Sequence, residues 1–97
     1  MTITKTATGA TLTLALEGRL DTTTAPQLEE ALKAIDGITE LTLDFAKLEY
    51  ISSAGLRVLL AAQKKMNQQG KMTITNVCDD IKEVFDITGF SDILTIA

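Results

Sequence analysis

At 97 residues, 45% hydrophobic and 23% charged, the chain suits one domain with a small core and is too apolar to be a disordered segment. A net charge of −4, with no basic run longer than Lys64-Lys65, argues against a nucleic-acid surface, and no apolar stretch reaches the ~20 residues of a membrane-spanning helix. The absence of histidine removes Ser-His-Asp and Cys-His catalysis and most zinc sites, while a lone cysteine and an N-terminus without an apolar leader fit a reducing, cytoplasmic setting.

Thr2–Thr6 reads as a short strand, and Thr8-Gly9 as a turn. Leu12, Leu14 and Leu16 then alternate with Thr11, Thr13 and Ala15, the pattern of a half-buried strand that pairs with the first as a hairpin. Gly18 to Thr24 is expected to be a polar loop. Thr24-Ala25-Pro26-Gln27 fits a capping box with Pro26 in the first turn, or Ala25 is the cap and Pro26 the first helical residue. Leu28, Ala31, Leu32 and Ile35 form the buried stripe of this helix, and Gly37 is its expected terminator.

Leu41, Leu43 and Phe45 alternate with Thr42 and Asp44 to give a third strand, followed by an expected loop, Ala46–Ile51. The second helix runs from Ser53 to about Gln69 and stops at Gly70. Lys71–Val77 is a fourth strand. Asp80-Ile81-Lys82-Glu83 fits another capping box, opening a helix whose core face is Ile81, Val84 and Phe85 and whose end is Gly89. Ile93–Ile96 offers a last strand. The order β-β-α-β-α-β-α-β implies right-handed crossovers and parallel pairing after the first hairpin. An α/β single domain is therefore expected, residues 1–97, with a mixed sheet, an N-terminal antiparallel hairpin and helices packed on it.

The chemistry gathers where the third strand meets the second helix. Ser52 and Ser53 stand at the positive end of that helix, where free N–H groups favour an anion. Either can be the N-cap. Neither is followed three residues later by Glu or Gln, so the reciprocal box is absent here. Gly55 in the first turn costs roughly 1 kcal/mol relative to alanine, which suggests a close approach by another backbone or a phosphate donor. Asp21, after the second strand, and Asp44, near the expected end of the third, lie on loops that could reach this junction. Both residues equally suit turns built on side-chain-to-backbone bonds, and for Asp44 that is the preferred reading. Too few oxygen ligands accompany them for a metal site. Cys78 is expected to be a buried structural thiol. The second helix carries Leu56, Leu59, Leu60 and Gln63 on one face and Val58, Ala61 and Ala62 further round, a breadth that suits a small core.

The segment Tyr50-Ile51-Ser52-Ser53-Ala54-Gly55-Leu56, preceded by Leu43-Asp44-Phe45, resembles the signature of STAS domains, and most closely that of the bacterial anti-sigma factor antagonists. Gly18-Arg19-Leu20-Asp21 with Thr24-Ala25 resembles their Gly-x-Leu-Asp motif before the first helix, and Phe85-Asp86-Ile87-Thr88-Gly89-Phe90 their third helix and its exit. The likeness covers nearly the whole chain. It implies a STAS-like fold and a partner switch. In that family the antagonist binds a serine kinase that is also an anti-sigma factor, and the kinase then phosphorylates it and releases it. A metal-dependent serine phosphatase reverses the modification.

Carried onto this sequence, the resemblance makes Ser53 the phosphoacceptor. Asp21, Thr22, Ser52, Ser53, Ala54, Gly55, Leu56 and Arg57 are then the partner-binding residues. Ser52 occupies a position that is often aspartate in the family, so two adjacent hydroxyls are available. Many relatives continue into a further amphipathic helix beyond the point where this sequence stops. The resemblance implies no catalytic residue, cofactor or metal of the chain's own; charge and hydropathy argue against a nucleic-acid or membrane partner, and a monomer is the default expectation with the oligomeric state open. Two other readings stand beside it: a STAS subunit of a larger sensory or transport assembly that binds without being phosphorylated, and a small hydrolase using Ser52 or Ser53. The hydrolase lacks a base, and no glycine loop of phosphate-cradling type is present for a nucleotide.

Overall fold

Alternating leucine and threonine produce the frame on which everything else is mounted. In the computed structural model, which describes residues 1–97, β1 (Thr2–Thr8) pairs antiparallel with β2 (Thr11–Leu20), and β2, β3 (Glu40–Ile51) and β4 (Lys71–Thr75) run parallel, in the order β1-β2-β3-β4. Leu12, Leu14 and Leu16 of β2, Leu41, Leu43 and Phe45 of β3, and Met72 and Ile74 of β4 are all buried, as expected when side chains of one parity share a face. The other parity builds a polar face. Thr6, Thr13, Thr42 and Thr73 stand in register across all the strands of the sheet, and the last three are only half-buried.

Three helices supply the rest of the core: α1 (Ala25–Leu32), α2 (Ser53–Gln69) and α3 (Asp79–Thr88). α1 buries Ala25, Leu28 and Leu32, and Ile35, in the turn that follows, is also fully buried. α2 buries Leu56, Val58, Leu59, Ala62, Gln63 and Met66, so the breadth of its apolar face serves the core. α3 inserts Ile81 and Phe85, and the Phe85 ring lies 6.5 Å from that of Phe45. Gly89 closes α3 in the left-handed region, φ 80°, the usual role of glycine at a helix exit. No helix is long and apolar enough to cross a membrane.

The expected order of elements is found, with differences that have local causes. Gly18–Leu20 and Ala46–Ile51, expected as loops, are strand. β2 and β3 stay paired to their ends, Glu17 with Lys47, Gly18 with Leu48, Arg19 with Tyr50 and Leu20 with Ile51, across register shifts between Ala15 and Glu17 and between Gly18 and Arg19. Such irregularities break the two-residue period without ending the ladder, and Gly18 takes up φ 109° there, a conformation costly for other residues. α1 ends at Leu32, capped by Lys33, so Gly37 lies beyond it.

Neither expected capping box forms. Thr24 is the N-cap of α1 but its side chain makes no cap bond, because its hydroxyl donates to the Arg19 carbonyl (2.7 Å) and accepts from the Asp21 N–H (2.8 Å). The Gln27 amide reaches the Met1 carbonyl instead (2.8 Å). At α3 the N-cap is Cys78, and Asp79 and Asp80 occupy the first turn, where their charges complement the helix dipole. Cys78 is exposed, not buried as expected: it sits in the turn before α3 and not in β4, which stops at Thr75. The last strand reduces to one parallel bridge between Ile96 and Ile74, with a short 3-10 turn over Phe90–Asp92 before it.

Candidate functional site

The junction between β3 and α2 is pinned by backbone bonds. The Ser52 N–H donates to the Leu20 carbonyl (2.9 Å), so the end of β3 is fastened to the end of β2 and the Asp21 turn is brought beside the start of α2. Ser52 is extended, φ −102° and ψ 175°, and its hydroxyl accepts from the Gly55 N–H at 3.4 Å. Its carbonyl accepts the first helical bond, from the Leu56 N–H (3.0 Å). Ser52 is therefore the cap, which leaves Ser53 at the first helical position with an exposed side chain.

Gly55 has an internal reason. A Cβ there would lie 2.7 Å from Leu20 Cγ and 3.0 Å from Ile51 Cγ1, so the first turn of α2 rests directly on the last residues of β2 and β3. The close approach inferred from the sequence is real: what lies against Gly55 is the buried Leu20 side chain.

Asp21 folds a tight turn. Its Oδ1 accepts from the Thr23 N–H (3.0 Å), the Thr23 hydroxyl (2.7 Å) and the Thr24 N–H (3.2 Å). These bonds, the Thr23 hydroxyl foremost, hold its carboxyl below the usual aspartate range, because each favours the ionised form. Its Oδ2 faces Arg19 Nε at 3.9 Å. Arg19 in turn lies over the Tyr50 ring, 4.2 Å from its centre, a cation–π contact. This Arg19–Tyr50 stack escapes sequence reading, since it depends on the register of two strands.

Asp44 is not part of the junction. β3 runs on to Ile51, so Asp44 lies well before the strand's end and not at a loop reaching Ser53. Its Oδ1 accepts from the Asn76 amide (3.0 Å) and the Ala46 N–H (2.9 Å), which lowers its carboxyl pKa, Asn76 contributing most. It braces the turn after β4, where Asn76 adopts φ 57°. No three His, Cys, Asp or Glu side chains gather in a metal-binding cluster.

Beside the junction, α1 and α2 frame a groove of about 540 Å³ whose lining includes Thr22, Ala25, Ala54, Arg57, Val58 and Ala61. Thr22, Ser53 and Arg57 are exposed, Ser52 and Ala54 half-buried, and Gly55 and Leu56 buried. The structure thus brings Asp21 and Thr22 to the same end of the fold as the Ser52–Arg57 segment, while Leu56 faces the core.

The STAS domain family profile matches residues 2–97, and the chain belongs to that family. Its sequence relatives are anti-sigma factor antagonists by name: the anti-sigma-B factor antagonist of Listeria monocytogenes is 36% identical over 83 residues, 81% of this chain and 72% of that protein. The Staphylococcus aureus anti-sigma-B factor antagonist is 34% identical over 82 residues, 81% of this chain and 76% of that one. BtrV of Bordetella bronchiseptica is 41% identical over 85 residues, 84% and 73% of the two chains. Among solved structures, an anti-sigma factor antagonist from Mycobacterium paratuberculosis superposes with a TM-score of 0.88 at 23% identity, covering 98% of this chain and 83% of its own. Unphosphorylated SpoIIAA superposes with 0.78 at 18%, covering 99% and 87%. At these identities the likeness is one of fold.

Proposed function

We propose that this protein, as a single STAS domain over residues 1–97, is a cytoplasmic, monomeric anti-sigma factor antagonist without catalysis of its own. It binds an anti-sigma factor that is a serine kinase and is released when that kinase phosphorylates Ser53. A metal-dependent serine phosphatase resets it. The observation that carries the reading is the division between two serines: Ser52 caps α2, and Ser53 is presented to solvent beside the Asp21 turn.

In the transfer, Ser53 Oγ forms a bond to the γ-phosphorus of ATP and the bond to the bridging oxygen breaks. ADP leaves, and the hydroxyl proton passes to a base on the kinase. The product carries about −1.5 to −2 charge at pH 7. The start of α2 tolerates that charge, since its dipole is positive there and its first turn holds no acidic side chain. The partner, whose interface had closed on Thr22, Ser53, Ala54 and Arg57, meets a bulky anion that must be desolvated. Each ~1.4 kcal/mol lost is a tenfold weakening.

The test is incubation with the cognate kinase and ATP, with intact mass, peptide mapping and partner affinity read for the wild type and Ser53→Ala. One phosphate mapped to Ser53, absent from the variant and accompanied by at least a hundredfold loss of affinity, is the expected result. Absence of phosphate from a complex with an active kinase refutes the switch and favours the STAS subunit that binds without modification. Phosphate on Ser52 instead would move the acceptor.

A further inference from the structure

We propose that Arg57 is the intramolecular counter-ion of phosphate on Ser53, so that phosphorylation also withdraws a cation from the mouth of the groove between α1 and α2. This rests on Ser53 being the phosphoacceptor. Ser53 and Arg57 are one helical turn apart within α2, a spacing that places two side chains on one face with Cβ atoms about 5–6 Å apart. Both are exposed. Arg57 lines the groove together with Thr22 and with Ala54, the residue after Ser53.

Arg19 beside the junction and the other cations lining the groove are already engaged. Arg19 is held by Asp21 and Tyr50, Lys33 by Glu30 and Lys65 by Asp36. Asp21 spends its Oδ1 on Thr23 and Thr24. Glu29 is the one acid lining the groove, and it is not in ion-pair contact with Arg57, which belongs to none of the protein's four ion pairs. A guanidinium fork matches phosphate oxygens in paired hydrogen bonds, so the modified serine recruits a free donor that the unmodified serine leaves to the partner. Before phosphorylation the Arg57 charge is exposed and unpaired, open to the partner. Afterwards that charge is turned inward, and the partner faces an anion while losing a cation.

The test uses the full chain with phosphoserine genetically encoded at position 53, so that no kinase is needed. The second pKa of the phosphate is read by 31P NMR in this protein and in Arg57→Gln and Arg57→Lys backgrounds. The pKa should rise by about 0.2–0.4 unit in Arg57→Gln, with Arg57→Lys in between, and the difference should shrink in 1 M salt. Identical values in all three proteins overturn the role of Arg57 and leave Ser53 as acceptor untouched. A kinase that fails to modify Ser53 overturns the acceptor reading, and with it the switch built on Arg57, even where this titration shows the pairing. Arg57 is exposed, and unchanged unfolding midpoints of the unmodified variants exclude misfolding as the source of the shift.

Discussion

Replacing Gly55 by alanine sets two physical effects of opposite sign against each other. Helix propensity favours alanine by about 0.8–1 kcal/mol. Against this, the new methyl would sit 2.7 Å from Leu20 Cγ and 3.0 Å from both Ile51 Cγ1 and Leu20 Cδ2. Leu20 is fully buried, and its Cγ is a branch point that cannot swing aside as a flexible tip would. Overpacking of this kind costs about 1–3 kcal/mol, so the net expectation is a loss of up to about 2 kcal/mol. Urea unfolding of Gly55→Ala, Leu20→Ala and the double variant isolates the cause. Leu20→Ala alone should lose about 2–5 kcal/mol. Once Leu20 is cut back, the Gly55→Ala substitution should become neutral or stabilising, giving a coupling of at least about 1 kcal/mol. A Gly55→Ala protein more stable than wild type by the full propensity difference would refute the claim that α2 rests on Leu20.

Ser52→Ala removes the α2 cap, and because its bond is long at 3.4 Å the expected loss is near 0.5 kcal/mol, the lower end for caps; phosphorylation of Ser53 should persist, and its loss would mean that Ser52 is the acceptor. The carboxyls of Asp21 and Asp44 are held below the ordinary value of 3.8, so their stabilisation is complete above that value and disappears as pH falls through their lower folded-state values. Asp21→Asn and Asp44→Asn should therefore show stability deficits at neutral pH that close on acidification below about 3.8, followed by denaturant midpoints; deficits that stay constant to pH 2 would contradict the lowered pKa values.

The parts legible from sequence are those fixed by short-range patterning. Leu12 to Leu16 and Leu41 to Phe45 show their period directly, and α2 is bounded by the Ser52-Ser53 pair and Gly70 with an apolar face between. What stayed hidden depends on pairing between distant segments. Glu17 to Leu20 and Lys47 to Ile51 remain strand only because each has the other as a partner, and the register shifts erase the alternation that would have revealed them. That error also misplaced Asp44, which belongs to the interior of a longer strand. The capping boxes failed for a related reason. Gln27 is drawn to the Met1 carbonyl and Thr24 to Arg19, partners that exist only in the folded chain. At the site itself, the motifs pointed to the β3–α2 junction and the Asp21 loop, which the fold brings to one end, whereas the choice of Ser52 as cap and the stacking of Arg19 on Tyr50 needed coordinates.

The proposed switch, with Ser52 as cap and Ser53 as acceptor, also bears on time. A residue that both closed a helix and received phosphate would have to give up its hydrogen bond at each modification, and the helix end would rearrange before the surface could change. Here the cap bond belongs to Ser52, so under the proposed switch phosphate on Ser53 would come and go without waiting for a local unfolding step. The pace of signalling would then be set by the catalytic turnover of the modifying enzymes and by the dissociation rate of the complex, leaving the antagonist itself kinetically transparent.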